Sequence, residues 1–490
     1  MAEDETLERR LALALLGILA ARLVAVWLNR TDLFFDEAQY WSWAQEPAFG
    51  YYSKPPLIAW LIGATTTICG DGEACLRSAS PVLHTVTAWL VFLIGRRLYD
   101  GRVGFWSALV YATLPGVSLS TGLISTDVPF LLLWALALWA FLRLRQSDRI
   151  GDAVLLGLAI GGGFLARYSM SFFVLSMLVA LWVGRGERRH IGLARWAVVL
   201  GAAGLVLAPN LAWNASHHFA TLSHTADNAK WSGSLLHPGK ALEFVGAQFG
   251  VLGPILFGAF LVIAWRALAP RRAPPLAEAE RLLLAFALPI VLIYVGQAFL
   301  SRAHANWAAA GYLAATVLVT ATMLREAPRL FRVSLGLHVA LAAVISIAPI
   351  FAGRLPVSTE HDPFRRLLGW RELAEAVRAE IAAAAASGRP YASILVDDRG
   401  TLAEMLYYLR DVETPIRAWK AGPVPHDHFE MTRPFTGETP ALLVDHGSDS
   451  GGVLKKFRTV EQRLARGAGA GGRDWRALTL YRLEGYKAPP

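Results

Sequence analysis

Long apolar stretches recur along the first 353 residues of the chain and restrict what it can fold into. A helix needs about 20 apolar residues to cross the hydrocarbon core of a bilayer, and about eleven stretches have a suitable length. They lie near residues 11–29, 79–98, 103–122, 127–143, 152–167, 170–184, 194–213, 244–265, 282–300, 304–324 and 333–353. Of the 490 residues, 54% are hydrophobic and only 17% are charged, whereas soluble domains average about 45–50% and 25%. The sequence therefore predicts an α-helical polytopic membrane protein.

Arginines concentrate in every second loop between these stretches. They are Arg9 and Arg10; Arg96, Arg97 and Arg102; Arg143, Arg145 and Arg149; Arg185, Arg188, Arg189 and Arg195; Arg266, Arg271, Arg272 and Arg281; and Arg325, Arg329 and Arg332. The positive-inside rule assigns such loops to the cytoplasm. The alternate loops then face outward, at 30–78, 122–126, 167–169, 214–243 and 301–303. This distribution accounts for the net charge of +9 without nucleic-acid binding.

The N-terminal apolar stretch is predicted to be retained as the first span. Leu11 to Leu28 exceeds the apolar region of a signal peptide and has no small-residue cleavage site. The chain has two cysteines, Cys69 and Cys75, in the first outward loop. They could form a disulfide in an oxidising compartment. No second Cys or His pair lies near them in the sequence, which argues against a metal site there.

After residue 353 the pattern becomes that of a small soluble domain. Helical patterns begin at Gly369 and at Leu402, and buried-strand patterns cover 391–398 and 441–444. Alternating strands and helices indicate an α/β domain. We therefore predict a transmembrane domain at 1–353 and an outward-facing α/β domain at 354–490.

An acidic doublet and a lysine stand close together in the first outward loop. Ionisable groups near a bilayer are costly and usually functional, and an interfacial aromatic belt would not require Asp36, Glu37 and Lys54. Neighbouring side chains point in different directions, so one carboxylate could act as a general base while the other holds the loop. Lys54 precedes Pro55-Pro56 and an apolar segment. It could bind a phosphate at a helix start or extend along the interface as an anchor.

The other outward loops carry further candidates. Asp127, after Ser125-Thr126, suits either a helix cap or a functional carboxylate. Arg167 opposes the positive-inside trend, so we expect an anionic partner, either a phosphate or a protein carboxylate. The segment from Arg302 to Trp307, with His304, forms a similar cluster.

Two histidine-containing segments are not predicted to hold a metal. The loop 214–243 contains His217, His218, His224, His237, Asp227, Asn228 and Lys230 without a typical metal spacing. A polar loop that gates or binds an acceptor is the favoured interpretation. In the tail, His426-Asp427-His428 is expected to be solvated surface.

These motifs resemble those of a known family. Phe35-Asp36-Glu37-Ala38-Gln39-Tyr40, Tyr52-Ser53-Lys54-Pro55-Pro56-Leu57 and Thr126-Asp127-Val128-Pro129 are similar to segments of the GT-C fold membrane glycosyltransferases. They resemble glycosyltransferase family 39 in particular, which holds the protein O-mannosyltransferases and the bacterial lipid A aminoarabinose transferases. The aminoarabinose transferases typically read Asp-Glu-Ala-Arg-Tyr and carry Glu before the lysine. This chain has Gln39 and Ser53 at those positions, so the resemblance specifies neither aminoarabinose nor a glutamate-bound metal.

The resemblance implies an inverting transferase that takes a sugar from a polyprenyl-phosphate donor at the outer face of a bacterial inner membrane. Asp36 would be the essential carboxylate and Lys54 would contact the donor phosphate. The substrate-binding residues expected are Glu37, Tyr40, Lys54, Asp127, Arg167, Arg302 and His304. A divalent metal, if one is used, would take Asp36 and Asp127. The expected acceptor is lipid A or another envelope glycan, and less strongly a protein.

Two other functional classes compete with this one. A flippase for polyprenyl-linked sugars would need charged residues near the bilayer midplane, whereas the charges here gather at the predicted outer ends. A structural or sensor protein would leave the loop of Asp36 and Lys54 without a role. No P-loop pattern occurs, which argues against ATP-driven transport.

Overall fold

The computed structural model describes residues 2–184, 191–227, 236–269, 276–358, 361–447, 450–467 and 475–487. Helices account for most of the described chain up to residue 347. They are α1 (Ala2–Leu28), α2 (Phe35–Ala44), α3 (Leu57–Cys69), α4 (Glu73–Leu98), α5 (Gly101–Thr113), α6 (Pro115–Ser120), α7 (Asp127–Ser147), α8 (Ile150–Ala166), α9 (Ser171–Val183), α10 (Leu193–Ser216), α11 (Ala220–Asp227), α12 (Pro238–Val251), α13 (Pro254–Leu268), α14 (Glu278–Leu300), α15 (Ala309–Glu326) and α16 (Pro328–Ile347).

The remaining elements form the C-terminal part of the chain. The helices are α17 (Trp370–Ala386), α18 (Arg399–Tyr408), α19 (His428–Thr432) and α20 (Gly451–Leu454). The strands are β1 (Ser393–Val396), β2 (Ile416–Ala418), β3 (Ala441–Asp445), β4 (Phe457–Arg466) and β5 (Leu478–Tyr486).

The chain divides into two compact units. The membrane unit comprises Met1–Trp27, Lys54–Leu61 and Arg77–Ala348. The sheet unit comprises Leu28–Ser53, Ile62–Leu76 and Pro349–Pro490. The sheet unit thus combines the predicted C-terminal domain with two segments of the first predicted outward loop.

The described residues include seven helical segments that are long and apolar enough to cross a membrane. They are Glu5–Leu28, Glu73–Leu98, Asp127–Ser147, Leu193–Ser216, Glu278–Leu300, Ala305–Glu326 and Pro328–Phe351. Four shorter apolar helical segments accompany them, at Leu57–Cys69, Ile150–Ala166, Tyr168–Val183 and Pro254–Leu268. The predicted class of helical polytopic membrane protein is confirmed, with between seven and eleven spans.

Two of the predicted spans are broken, which corrects the sequence analysis. The stretch 103–122 divides into α5 and α6 at Leu114, where ψ is 135°. Pro115 explains this break, because proline has no N–H and disfavours a helical conformation in the residue before it. The stretch 244–265 divides into α12 and α13 at Gly253, whose φ of 96° is accessible to glycine at little cost.

A buried arginine forms a hydrogen bond at the break between α5 and α6. Arg22, only 6% exposed, donates a hydrogen bond to the carbonyl oxygen of Ala112 in the last turn of α5. A cation is favourable at a helix C-terminus because the last carbonyl groups have no partner within the helix. Arg22 therefore satisfies a group that the break releases within the apolar core.

Small and aromatic residues determine the packing of the membrane unit. A side chain at Gly157 or Gly161 of α8 would approach within 2.5 Å of Val199 O or 2.9 Å of Ala203 O in α10. The two glycines, four residues apart, therefore permit close backbone contact between α8 and α10. Nearby, the ring of Phe173 packs against those of Trp134 and Phe286, at centroid distances of 5.1 and 5.2 Å.

Ion pairs join the loops that are predicted to be cytoplasmic. Each pair connects residues at the basic ends of neighbouring helices, which stabilises the grouping of these ends within the membrane unit. The pairs and their N···O distances are Arg143–Asp152 at 2.7 Å, Arg145–Glu278 at 3.0 Å, Arg266–Glu326 at 2.8 Å and Arg325–Glu280 at 2.9 Å.

The sheet unit contains a five-stranded mixed sheet in the order β2-β1-β3-β5-β4. Strand β1 is parallel to β2 and β3, while β5 runs antiparallel to β3 and β4. The predicted strands correspond to β1 and β3, and the predicted helices to α17 and α18. Strand β4 was missed because most of its side chains are exposed and several are charged, so it lacks a buried-strand pattern.

Candidate active site

Helix α2 carries the acidic doublet in its first turn. Glu37 is 2% exposed, and its carboxylate accepts a hydrogen bond of 2.9 Å from the backbone N–H of Phe34. This contact satisfies a donor at the start of the helix, where backbone N–H groups have no partner within the helix. Its burial favours the anchoring role over the substrate contact that was also expected.

Asp36 is more accessible and has a different partner. Its Oδ1 lies 3.3 Å from a guanidinium nitrogen of Arg399, and 37% of the Asp36 side chain is exposed. Among the described residues, its Oδ2 makes no hydrogen bond. Asp36 can therefore accept a proton or orient a hydroxyl group while Arg399 holds its other oxygen.

Arg399 contacts three residues of the α2 segment. The nitrogen that pairs with Asp36 also donates a 2.7 Å hydrogen bond to Oε1 of Gln39. The guanidinium lies over the ring of Phe35, with Cζ 5.1 Å from the centroid. Arg399 was missed in the sequence analysis. The available signal was an arginine directly after Asp397-Asp398, at the end of a predicted strand.

Tyr40 belongs to an aromatic cluster. It is 3% exposed, and its ring centroid lies 5.4 Å from that of Trp43. Trp43 stacks on Tyr51 at 4.6 Å, and His428 meets Trp43 edge-on at 5.3 Å. These contacts favour a packing role for Tyr40 over the expected substrate contact. The prediction that His428 is solvated is wrong, since only 9% of the residue is exposed. This desolvation, followed by the charge of Arg433, lowers the pKa of His428 to about 4.

In the membrane unit, Asp127 is held by two side chains. Its Oδ1 pairs with Arg167, and its Oδ2 accepts a hydrogen bond from Asn306. Both members of the ion pair are largely buried, at 15% exposure for Asp127 and 18% for Arg167. Thr126 makes no side-chain capping bond. The carboxylate partner that was one of two expectations for Arg167 is therefore present. Together with Asn306 it joins the start of α7, the segment after α8 and the segment before α15.

The charges of three cationic side chains affect the pKa of His304. Desolvation lowers the pKa of His304, and the charges of Arg302, Lys54 and Arg167 lower it further. Lys54 is half-buried and lies three residues before α3. The structure thus brings Lys54 into the same electrostatic field as three other predicted ligands, which favours an anion such as a phosphate.

The described residues do not form an evident metal site. No group of three or more His, Cys, Asp and Glu side chains among them is arranged to hold an ion. Asp36 and Asp127 each have an arginine partner, which does not favour either carboxylate as a ligand of the divalent metal that the sequence left possible. We therefore derive no step through a metal.

In the histidine-containing loop, Asn228 and Lys230 lie outside the described residues. The ring of His217 stacks on that of Trp213, with the centroids 4.1 Å apart.

Two further features belong to the sheet unit. Cys69 and Cys75 form a disulfide. Asp32, 5% exposed, accepts a 2.8 Å hydrogen bond from the backbone N–H of Trp370 at the start of α17. Burial raises the pKa of Asp32 to about 6 despite that bond.

Comparison with known sequences identifies the relatives of the chain. A profile of the family described as dolichyl-phosphate-mannose-protein mannosyltransferase matches residues 53–213. The lipid A galacturonosyltransferase RgtD of Rhizobium johnstonii is 34% identical over 420 residues, which cover 86% of this chain and 86% of that protein. An undecaprenyl phosphate-alpha-4-amino-4-deoxy-L-arabinose arabinosyl transferase of Pseudomonas aeruginosa is 32% identical, over 32% of this chain and 28% of its own length.

Solved structures with the same fold include ArnT from Cupriavidus metallidurans. The apo structure has a TM-score of 0.68, and the structure bound to undecaprenyl phosphate has a TM-score of 0.69. In each case 98% of this chain and 99% of ArnT are covered at 13% identity. The predicted membrane fold with a C-terminal α/β domain is thus confirmed. Because the similarity to RgtD extends along most of both chains, this protein belongs to the family of membrane glycosyltransferases that contains RgtD.

Proposed function

We propose that this glycosyltransferase moves a sugar from an undecaprenyl-phosphate donor to lipid A at the periplasmic face of an inner membrane. The similarity to a lipid A galacturonosyltransferase along 86% of the chain supports lipid A as the acceptor and a uronic acid as the first sugar to test. The aminoarabinose transferases match over about a third of the chain, so aminoarabinose is the second candidate sugar.

The donor assignment is carried by a group of cations in the membrane unit. Arg167 lies beside Asp127, which also contacts Asn306. Lys54 and Arg302 lie close enough to His304 for their charges to lower its pKa. A polyprenyl-phosphate sugar reacts by breaking the bond between the sugar carbon and the phosphate oxygen. Negative charge then develops on the leaving phosphate. Cations that are already oriented stabilise such charge without reorganisation during the reaction. Lys54 and Arg302 are assigned this role, while Arg167 is held by Asp127 and contributes mainly through its field.

Asp36 is assigned to the acceptor. When a sugar hydroxyl attacks, its proton must leave, and a half-exposed carboxylate with an available oxygen can accept it. When a phosphate group of lipid A attacks instead, no base is needed. Asp36 would then orient the acceptor, so the identity of the attacking group determines which step depends on this residue.

The direct test uses purified protein and lipid A with undecaprenyl-phosphate-linked galacturonic acid or aminoarabinose. Mass spectrometry of lipid A should detect one added sugar. Transfer to a protein instead would favour the protein O-glycosyltransferase alternative. Movement of the donor across a liposome membrane without any transfer would favour the flippase. Neither transfer nor donor movement would leave the proposal without support.

The proposed orientation has the N-terminus in the cytoplasm and the C-terminal part in the periplasm. It is supported by the arginine-rich alternate loops and by the Cys69–Cys75 disulfide, which suits an oxidising compartment. Reporter fusions after Arg97 and after Gly369 should give signals from opposite sides of the membrane. Signals from the same side would exclude this orientation.

A further inference from the structure

We infer that Arg399 is the positioning residue of Asp36, and that it supplies from α18 a positive charge that α2 itself lacks. The inference rests on the proposed function only in taking Asp36 as the reacting carboxylate. Its structural basis lies wholly within the sheet unit. Arg399 and Asp36 are 363 positions apart in the chain.

The guanidinium of Arg399 contacts two side chains on one face of α2. Asp36 and Gln39 are three residues apart, so their side chains lie on the same side of the helix. One nitrogen of Arg399 contacts both, at 3.3 Å from Asp36 Oδ1 and 2.7 Å from Gln39 Oε1. The Gln39 amide, 1% exposed, thus fixes the guanidinium from a buried position. Asp36 is held on one oxygen only.

The arginine is itself well anchored. It is the first residue of α18, and the preceding Asp398 caps that helix by accepting a 2.9 Å hydrogen bond from the N–H of Thr401. The ring of Phe35 supports the guanidinium from α2. Helices α2 and α18 pack directly against each other. The packing of α18 against α2 therefore sets the direction from which the guanidinium approaches Asp36.

No other cation is paired with Asp36 among the described residues. The other positions on this face of α2 are not basic, and Gln39 is where the sequence departs from Asp-Glu-Ala-Arg-Tyr. An arginine at position 39 would place a charge on the same side of α2 as Asp36. An arginine at position 39 could therefore supply the positive charge that Arg399 supplies in the wild type. Moving the charge from position 399 to position 39 tests this.

The experiment compares Arg399→Gln, Arg399→Lys and the double variant Gln39→Arg/Arg399→Gln with the wild type, using lipid A and the undecaprenyl-phosphate sugar that the wild type transfers. A charge-assisted hydrogen bond is large enough for its loss to lower kcat by about 10- to 100-fold. The KM for the donor should change less than about twofold, since donor contacts are assigned elsewhere. Arg399→Lys should recover part of the loss, because a point charge lacks the planar fork. The double variant should return most of the activity.

The matched control is Arg433→Gln. Arg433 pairs with Glu46, which follows α2 in the same unit, and Arg433 is about as accessible as Arg399, at 33% against 35% exposed. Its removal should change kcat by less than about threefold, because the partner of Arg433 is Glu46 and not the reacting carboxylate. Equal losses in Arg399→Gln and Arg433→Gln, or no recovery in a folded double variant, would overturn the inference.

A second measurement does not depend on transfer. Thermal unfolding of Asp36→Asn, Arg399→Gln and the combined variant forms a double-mutant cycle. Non-additive shifts in Tm are expected if the two side chains interact, and additive shifts would overturn the inference whatever the activity. A wild type that transfers no sugar, with a clearly non-additive cycle, would instead remove the proposed function and leave the contact between Arg399 and Asp36 supported.

Discussion

The two units each contain a carboxylate paired with an arginine, and the two pairs differ in burial. In the membrane unit, Asp127 and Arg167 are 15% and 18% exposed, and Asn306 takes the second carboxylate oxygen. In the sheet unit, Asp36 and Arg399 are 37% and 35% exposed, and the second oxygen of Asp36 has no described partner. In the membrane unit both carboxylate oxygens of the pair are thus engaged and little exposed, whereas in the sheet unit one carboxylate oxygen stays accessible.

This difference separates a structural role from a chemical one. A buried pair that loses one member leaves an uncompensated charge, which costs about 3–5 kcal/mol, whereas an exposed pair contributes about 0–1 kcal/mol. Asp127 is therefore expected to be needed for stability. Removal of Asp36 is expected to cost less folding free energy than removal of Asp127, and the second carboxylate oxygen of Asp36 is accessible to a substrate.

The largest expected effect is on transfer by Asp36→Asn. General acid–base catalysis contributes about 10²- to 10⁴-fold, so the rate should fall by that range if a hydroxyl is the attacking group. The Tm should fall less than in Asp127→Asn, because the pair of Asp36 and Arg399 is more exposed than the pair of Asp127 and Arg167. Rates measured with lipid A and the preferred donor, together with thermal unfolding, test both parts. Near-normal turnover by the folded variant would exclude Asp36 from the mechanism. The chemical role that distinguishes Asp36 from Asp127 would then be lost.

The next effect is on the stability of the membrane unit. Asp127→Asn or Arg167→Gln should each lower the free energy of unfolding by about 3–5 kcal/mol, because each leaves its partner buried without an opposite charge. Thermal unfolding in detergent gives the measurement.

The combined variant, with both charges removed, should be more stable than the sum of the single losses predicts. An Asp127→Asn protein as stable as Asp36→Asn would show that burial does not distinguish the two pairs.

A smaller effect is expected on donor affinity in Lys54→Ala. Loss of one charge-assisted contact, about 1.5–3 kcal/mol, should weaken donor binding by about one to two orders of magnitude. Lys54→Arg keeps the charge and should recover part of it. The measurement is a titration with undecaprenyl phosphate.

Lys240→Ala provides the control, because Lys240 is exposed and pairs with Glu243 on the surface of the same unit. Equal affinities in wild type and Lys54→Ala would leave Lys54 as an interfacial anchor. The positive charge near His304 that stabilises the donor phosphate would then come from Arg302 and Arg167.

The smallest effect concerns the disulfide of the sheet unit. Cys69 and Cys75 enclose a short loop, with a sequence separation of 6. Chain-entropy arguments assign such a loop a stabilisation of about 2 kcal/mol. The Cys69→Ser/Cys75→Ser variant should therefore unfold a few degrees below the wild type and should not respond to a reducing agent. A wild type whose Tm is equally insensitive to the reductant would contradict the oxidised state.

Much of the architecture followed from local sequence patterns. Hydrophobic length predicted the membrane helices, and the arginines marked every second loop. Strands β1 and β3 were predicted because they are short and wholly apolar. The breaks at Pro115 and Gly253 were not predicted, although both residues are visible in the sequence, because hydropathy averages over such single positions. Strand β4 was missed because exposed charged strands have no apolar signature.

The sequence by itself determined that the chain crosses a membrane, and it predicted that Asp36, Lys54, Asp127, Arg167 and Arg302 lie on the same, outward side. These properties depend on hydrophobicity and charge counted along the chain. Tertiary structure alone decided that Arg167 pairs with Asp127, that Glu37 is a buried anchor, and that Arg399 reaches Asp36. Each of these outcomes depends on how helices pack, because packing sets which distant side chains meet and which are removed from water.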